Sequence, residues 1–316
     1  MSPIPLIIDT DPGVDDAVAI MLALASPEVE LRAVTTVFGN VPLDRTTANA
    51  GRVLALCGRS DVPVAAGAAR PLVHPQRERA ESWHGGDGLG GRAATLPAPA
   101  AEPDPRGAVA LMADVLRAAT EPVTIAPIGP LTNVALLLAV HPELVPRIGR
   151  IVVMGGSLGG GNTGAGFGGV AEFNALCDPE AAHRVLTQSE VPVTLVPLDL
   201  TLRCPAGPDW LDGLAAAGPR CAALAQVIAH YRAAYRARYG VDAVALHDAV
   251  AVLEAVLPGS LTTTSTPIAV ACDLGPARGA TVAVPDGPPV HVALDADTGA
   301  VLAEVLARLG MVDGLG

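Results

Sequence analysis

Four carboxylates fall within eight residues near the start of the chain, where Asp9-Thr10-Asp11-Pro12-Gly13-Val14-Asp15-Asp16 follows the short apolar run Pro5–Ile8. The run reads as a strand and the residues from Val14 onward as a helix, so the acids gather where a strand ends and a helix begins. The spacing predicts Asp11 as the helix N-cap, Pro12 at the first helical position, and Asp15 one turn further along the same face. A helix N-terminus tolerates one or two negative charges. Four converging carboxylates repel one another and raise each other's pKa. A hard cation removes that conflict, and carboxylate oxygens favour Ca²⁺ or Mg²⁺ over Zn²⁺. The pattern is not an EF-hand, whose spacing and downstream Glu are missing. It is not a phosphate loop either, because acids repel phosphate and no Gly-Lys-Ser/Thr follows.

The other polar motifs also stand at the ends of expected elements. Val37-Phe38-Gly39-Asn40 closes a strand with an amide. Pro127-Ile128-Gly129-Pro130-Leu131-Thr132-Asn133 closes another with a turn whose carbonyls are candidates to bind a cation. Ala171-Glu172-Phe173-Asn174 supplies an acid and an amide, and Leu246-His247-Asp248-Ala249 opens a late helix with an imidazole beside an acid. Carboxylates, amides, a carbonyl and an imidazole together can grip a polyol on a metal and protonate a leaving group. His74, His141, His183, His230 and His291 lack such surroundings and read as structural. Tyr231, Tyr235 and Tyr239 repeat at four-residue spacing on one helix face, as a packed aromatic stripe or as a lid that stacks on a ligand.

The elements that must position these groups follow a βαβα rhythm. Strands are expected at Pro5–Ile8, Leu31–Val37, Val123–Ala126, Ile151–Met154 and Val193–Val196, with late ones near Ile268–Ala271, Thr281–Val284 and Val290–Ala293. Helices are expected at Val14–Ala25, Leu43–Leu56, Ala108–Ala119, Thr132–Ala139, Pro179–Thr187, Cys221–Ala237, Ala249–Val256 and Thr298–Leu309. This alternation predicts a single α/β domain over residues 1–316, with a mainly parallel central sheet flanked by helices and an antiparallel appendage from the late strands. In such sheets ligands bind beyond the carboxyl ends of the strands. Pro97–Pro105 reads as a stiff surface connection. The stretch Gly155–Gly169, with nine glycines in fifteen residues, is too flexible for an element interior. It reads either as a disordered loop or as a mobile wall of the site.

Composition narrows the class. The 316 residues are 50% hydrophobic and 16% charged, with a formal net charge of −12 and no lysine among the basic side chains. Mean hydropathy is +0.43. An acidic chain without basic clusters argues against nucleic-acid binding and against an anionic membrane surface. Apolar runs such as Ala17–Ala25 are too short to span a bilayer, and no signal peptide is visible. Five scattered cysteines without a Cys-x-x-Cys pair suggest buried thiols in a reducing cytoplasm.

The motifs DTDPGVDDAVAI, VFGN, WHGGDGLGG, PIGPLTN, VMGG, VAEFN, DPEAA and LHDAVAV occur in this order. They resemble those of the inosine–uridine type nucleoside hydrolases from Ile7 to the last helix. The resemblance implies a Rossmann-like α/β fold, a homodimer or homotetramer, a ribonucleoside as small-molecule substrate, and calcium-dependent hydrolysis of the N-glycosidic bond to ribose and free base. It implies that Asp11, Asp16 and Asp248 ligate Ca²⁺ through their side chains and Ile128 through its carbonyl. Asp11 would also be the general base on a calcium-bound water. Asp15, Asn40, Glu172 and Asn174 would hold the ribose hydroxyls, with Asp248 touching both metal and sugar, and Asp9 would orient the site. His247 would be the general acid to the leaving base, and its retention favours the inosine–uridine or pyrimidine-preferring branch. His84 would lie on a loop over the base or be a plain loop residue, and Tyr231 and Tyr235 best match a base-stacking lid. Relatives place an asparagine nearer the AEFN motif to contact the ribose 5′-hydroxyl. Here Asn162 stands twelve residues before Asn174, with extra glycines between.

Two other classes are weighed against this. A haloacid-dehalogenase-like phosphatase also has Asp-x-Asp after a strand, but Pro12-Gly13 replaces its next residues and the chain has no lysine. A ribose-binding protein that does not turn over is opposed by the intact Asp11 and His247.

Overall fold

The computed structural model describes residues 3–163 and 169–315. The strands are β1 (Ile4–Thr10), β2 (Val29–Thr36), β3 (Val64–Ala66), β4 (Val123–Pro127), β5 (Ile148–Met154), β6 (Val193–Val196), β7 (Pro205–Ala206), β8 (Val244–Ala245), β9 (Thr262–Val270), β10 (Thr281–Ala283) and β11 (Pro289–Asp295). The α-helices are α1 (Val14–Leu24), α2 (Leu43–Leu56), α3 (Glu81–His84), α4 (Ala108–Ala118), α5 (Thr132–Val140), α6 (Phe173–Cys177), α7 (Pro179–Gln188), α8 (Leu198–Thr201), α9 (Pro208–Ala216), α10 (Pro219–Tyr239), α11 (His247–Val256) and α12 (Thr298–Leu309).

One nine-stranded sheet has the order β10-β9-β11-β6-β5-β4-β1-β2-β3, and β7 pairs with β8 in a separate small ribbon. From β3 to β11 every neighbouring pair is parallel. β9 and β10 then extend that edge antiparallel. The late strands are therefore not an appendage. Because β11 pairs with β6, they continue the main sheet. Strand order reverses between β1 and β4: β2 and β3 lie to one side of β1, and β4, β5 and β6 to the other. The connections on the two sides leave a crevice at the strands' carboxyl ends, where such sheets bind ligands.

Side-chain alternation puts the core on both faces. Leu6 and Ile8 join one apolar cluster and Ile7 the other; Val152 and Met154 join the first and Ile151 and Val153 the second. Doubly covered strands read as continuous apolar runs for this reason. α1 and α11 are buried along their whole lengths and pack on each other. Their sequences are apolar almost all round, as befits helices with no face in water. Apart from Glu254 near the end of α11, the exceptions cluster in the first turn: Asp15 and Asp16 in α1, and His247 and Asp248 in α11. Two buried helices thus present their N-termini, with polar residues, to the same end of the sheet.

The expected start of α1 is corrected by the structure. Its N-cap is Gly13, not Asp11, and Pro12 precedes the helix. Asp16, at the third helical position, accepts a hydrogen bond from the Gly13 N–H at 2.8 Å and performs the capping. The two-residue Pro-Gly extension frees Asp11 to point elsewhere. β3, β7, β8, α3, α6, α8 and α9 have no counterpart among the sequence expectations, and all but α9 are five residues or shorter. β3 is only three residues long, and α9 is short enough that its apolar spacing is not distinctive. The Pro97–Pro105 segment is irregular and mostly exposed, as expected. Among the described residues no helix is long and apolar enough to cross a membrane.

Candidate active site

β1 delivers Asp9 and Asp11 to the switch point beside β4, and the Gly13 turn brings Asp15 and Asp16 in from α1. Asp11 is buried, and its Oδ2 accepts the backbone N–H of Asn40 at 2.7 Å. Among the described residues its Oδ1 has no hydrogen-bond partner. Burial and the charges of Asp16 and Asp15 push its pKa well above the usual carboxylate range. Two glycines make room for this carboxylate: a Cβ on Gly39 would stand 1.9 Å from Oδ2, and one on Gly129 would stand 2.5 Å from Oδ1. Gly39→Ala should therefore displace Asp11 and cost at least about 100-fold in activity, by the usual price of a misplaced reacting group. Circular dichroism and kcat measured together check it: a folded variant with full activity would show that Asp11 is not needed in this pose.

Asp15, Asp16 and Asp248 bring carboxylate oxygens within 4.8 Å of one another, all buried. Asp16 and Asp248 are thus close enough for each to perturb the other's ionisation. Burial, followed by neighbouring negative charge, raises Asp15 to about 8 and Asp248 well above its ordinary value. Asp16 is also raised by burial, although the Thr10 hydroxyl and the Gly13 N–H both donate to it. The backbone at the start of α11, at His247 and Asp248, offsets part of that rise for Asp15. Below them, Asp9 accepts hydrogen bonds from Thr35 (2.6 Å) and Asn133 (2.8 Å), while its second oxygen has no partner and burial lifts it to about 7. Among the described residues no arginine lines this pocket. Asp15, Asp16 and Asp248, with the orphaned Asp11 oxygen beside them, are a set of oxygens that could hold a metal ion.

The ring of polar side chains around the acids is largely the one expected. Asn40 Nδ2 donates to the Asp11 carbonyl at 3.1 Å and to Asp16 at 3.3 Å. Glu172 caps α6, accepting from the Asn174, Ala175 and Gly156 N–H groups at 2.8–2.9 Å. Asn174 Nδ2 donates to the Ile128 carbonyl at 3.1 Å and to the Met154 carbonyl at 3.3 Å. Asn162 lines the same pocket, and its Oδ1 accepts the Phe173 N–H at 3.0 Å, tying the glycine-rich stretch to α6. Residues 164–168 of that stretch lie outside the described residues.

The opposite wall is aromatic. Tyr231, Tyr235 and Tyr239 of α10 line the pocket together with Trp83 and His84 of α3. Tyr239 stacks on Trp83, and His84 stacks on Tyr231 with ring centroids 5.2 Å apart. His84 does not sit on a loop. It ends α3, and its Nδ1 accepts the Val14 N–H at 3.0 Å, so it anchors the first turn of α1; burial lowers it to about 3. His247 is held at both nitrogens, with Nδ1 2.6 Å from the Thr201 hydroxyl and Nε2 3.1 Å from the Tyr235 hydroxyl, and burial lowers it to about 4.

Every expected site residue thus reaches one pocket or its immediate wall: Asp11, Asp15, Asn40, His84, Ile128, Asn162, Glu172, Asn174, Tyr231, Tyr235, His247 and Asp248 line it, and Asp16 stands beside Asp15 and Asp248. The tightest carboxylate cluster includes Asp15 with Asp16 and Asp248, whereas the expected ligand set had Asp11 in that place. Sequence reading missed Trp83 as a wall residue, Asn133 under Asp9, and Thr201 behind His247. Trp83 adjoined His84 in a noted motif and was within reach. Thr201 had no signal, because a threonine after a strand end is ordinary.

The inosine-uridine preferring nucleoside hydrolase model matches residues 6–303. A pyrimidine-specific ribonucleoside hydrolase RihA of Klebsiella pneumoniae is 43% identical over 262 residues, 82% of each chain. The RihA of Photobacterium profundum is 52% identical over 201 residues, a match spanning 63% of this chain and 62% of that relative. Among solved structures, the plant nucleoside hydrolase PpNRh1 superposes with a TM-score of 0.90 at 32% identity, covering 97% of this chain and 99% of that one. A purine-preferring ribonucleoside hydrolase from Gardnerella vaginalis also reaches 0.90, at 30% identity and covering 99% and 100%.

Proposed function

The chain belongs to the inosine-uridine preferring nucleoside hydrolase family, and from that premise we propose that it cleaves the N-glycosidic bond of ribonucleosides to ribose and free base, with pyrimidine nucleosides or inosine and uridine preferred. The observation that carries this reading is the buried carboxylate cluster at the switch point, with one Asp11 oxygen left without a hydrogen bond among the described residues, faced across one pocket by an imidazole and aromatic rings. The names of the RihA relatives and the presence of His247 support the pyrimidine or inosine–uridine preference.

Asp11, Asp16 and Asp248, the Ile128 carbonyl, and Asp15 beside them are the residues that would hold Ca²⁺. When bound, the ion supplies charge that returns these acids to their ionised forms, a lowered pKa for attacking water, and a template for ribose hydroxyls. Asp15, Asn40, Glu172 and Asn174 hold those hydroxyls, the first and third as acceptors and the two amides as either donor or acceptor. Asp11, with one oxygen fixed by Asn40 and the other free, takes a proton from the water that attacks the anomeric carbon. The bond to the base breaks with its electron pair going to the base nitrogen. Positive charge developing on the ribose faces the carboxylates, which stabilise it. His247 Nε2, on the aromatic side, is the donor toward the departing base. Tyr231 and Tyr235 present faces and hydroxyls to that base, with Trp83 behind them. A homodimer or homotetramer in the cytoplasm is part of the same reading.

Base release from uridine, cytidine, inosine and adenosine, with and without a chelator, tests the proposal. Chelator-sensitive release, fastest with pyrimidine nucleosides or inosine, is the expected result. Tight nucleoside binding with no release from any of the four, calcium present, would reject hydrolysis in favour of a binding protein.

A further inference from the structure

Behind His247 stands a residue that no motif pointed to. Thr201, the last residue of α8, is fully buried, and among the described residues its hydroxyl has a single partner, His247 Nδ1 at 2.6 Å. The contacts continue from His247 Nε2 to the Tyr235 hydroxyl (3.1 Å) and from there to the Tyr231 hydroxyl (3.5 Å), which lines the pocket. This is a chain of hydrogen bonds with one end buried and the other at the substrate cavity. Each hydroxyl carries one proton, and the chain can be ordered in two directions. If Nδ1 carried the proton, it would donate to the Thr201 oxygen. The Thr201 proton would then be left buried without an acceptor, which is costly. If Thr201 donates to Nδ1, then Nε2–H donates to Tyr235, Tyr235 to Tyr231, and the last proton points into the pocket. Only this direction satisfies every group.

We propose that Thr201 is a positioning residue that sets the direction of the Thr201–His247–Tyr235–Tyr231 chain, so that His247 donates from Nε2 to Tyr235 and the last proton of the chain, on Tyr231, is directed into the pocket toward the departing base. The inference rests on the hydrolase reading for its kinetic consequence, but not for the tautomer itself. α8 is suited to hold the imidazole rigidly. Two residues before Thr201, Asp199 accepts the Leu158 N–H (2.8 Å) and the Ser157 hydroxyl (3.1 Å), so one short helix braces both the imidazole and the root of the glycine-rich stretch.

Two measurements decide it. Nitrogen-15 NMR of ring-labelled histidine in the wild-type, calcium-loaded protein, with a His247→Gln variant to assign the signal, should show Nε2 protonated and Nδ1 bare. A protonated Nδ1 overturns the proposal, and this arm does not depend on any Thr201 variant folding. In kinetics, Thr201→Val should lower kcat on uridine about 10- to 100-fold, a part of what a proton donor is worth, with KM changed less than about 3-fold. Thr201→Ser, which keeps the hydroxyl, should return kcat to within about 3-fold of wild type. With p-nitrophenyl riboside, whose phenolate departs without a proton, Thr201→Val should be near wild type. An equal loss on both substrates, or a serine variant as slow as the valine one, overturns the positioning role. If wild type releases no base from any nucleoside, the hydrolase reading fails, and the NMR arm still decides the tautomer.

Discussion

Asp11→Asn should reduce base release by about 10³- to 10⁴-fold, the upper part of what a general base contributes, while making the cation-free protein more stable at neutral pH. The two effects have one cause. Asp11 is buried among Asp15, Asp16 and Asp248, and its pKa stands well above the ordinary value. Without a cation, the folded protein must either bury the charge of this group or take up a proton on it, and the unfolded chain does neither. Both oppose folding as pH rises above the ordinary carboxylate range. Asparagine needs no proton, still accepts the Asn40 N–H through its Oδ1, and occupies nearly the same volume. Its melting temperature without cation should therefore exceed that of wild type at pH 7–8, and the two should converge below about pH 4, where aspartate is protonated in both states. Thermal melts across pH, beside single-turnover base release, check both halves. An asparagine variant that keeps wild-type turnover, or that is destabilised at neutral pH, would contradict the role assigned to Asp11.

Calcium should stabilise the protein strongly and change the sign of its response to pH. At a free concentration 100 times the dissociation constant, binding adds about 2.7 kcal/mol, on the order of 5 °C for a chain of this size. In the cation-free protein Asp9 is raised to about 7 and Asp15 to about 8, from 3.8. Groups with raised folded pKa values bind more protons folded than unfolded, so stability is greatest below the unfolded value near 4 and falls as pH rises through 7 and 8. With calcium bound, the carboxylates are held ionised and the cost of burying them is met by the ion. The melting curves with calcium and with chelator should therefore separate progressively from pH 5 to pH 9, the chelated protein losing stability. Curves that stay parallel would mean that these acids do not bind the cation.

Much of the site was legible because its chemistry is local in sequence. Asp9, Asp11, Asp15 and Asp16 lie on one strand-to-helix connection, and Glu172 with Asn174, and His247 with Asp248, each share one helix start. Acids and amides at the ends of apolar runs are costly unless they meet something, so their types and positions already announced a cation and a polyol. The parallel sheet was legible for a similar reason: β4 and the apolar half of β5 are continuous runs between helical patterns, as strands covered on both faces must be. What the residues alone misjudged was short-range geometry. Asp11 looked like a cap because it precedes Pro12. The structure gives capping to Asp16, and the reason lies 28 residues downstream, where Gly39 leaves the space that Asp11 occupies.

The sequence by itself determined the fold class, the carboxylate inventory and the family. These depend on periodicity and residue type, which are written along the chain. Tertiary structure alone decided which oxygens converge, that Asp15 joins Asp16 and Asp248, that His84 is pinned to α1, and that Thr201 backs His247. Those contacts link residues from 46 to more than 200 positions apart. Their geometry is set by how two buried helices and a reversing sheet pack, and no local pattern encodes it.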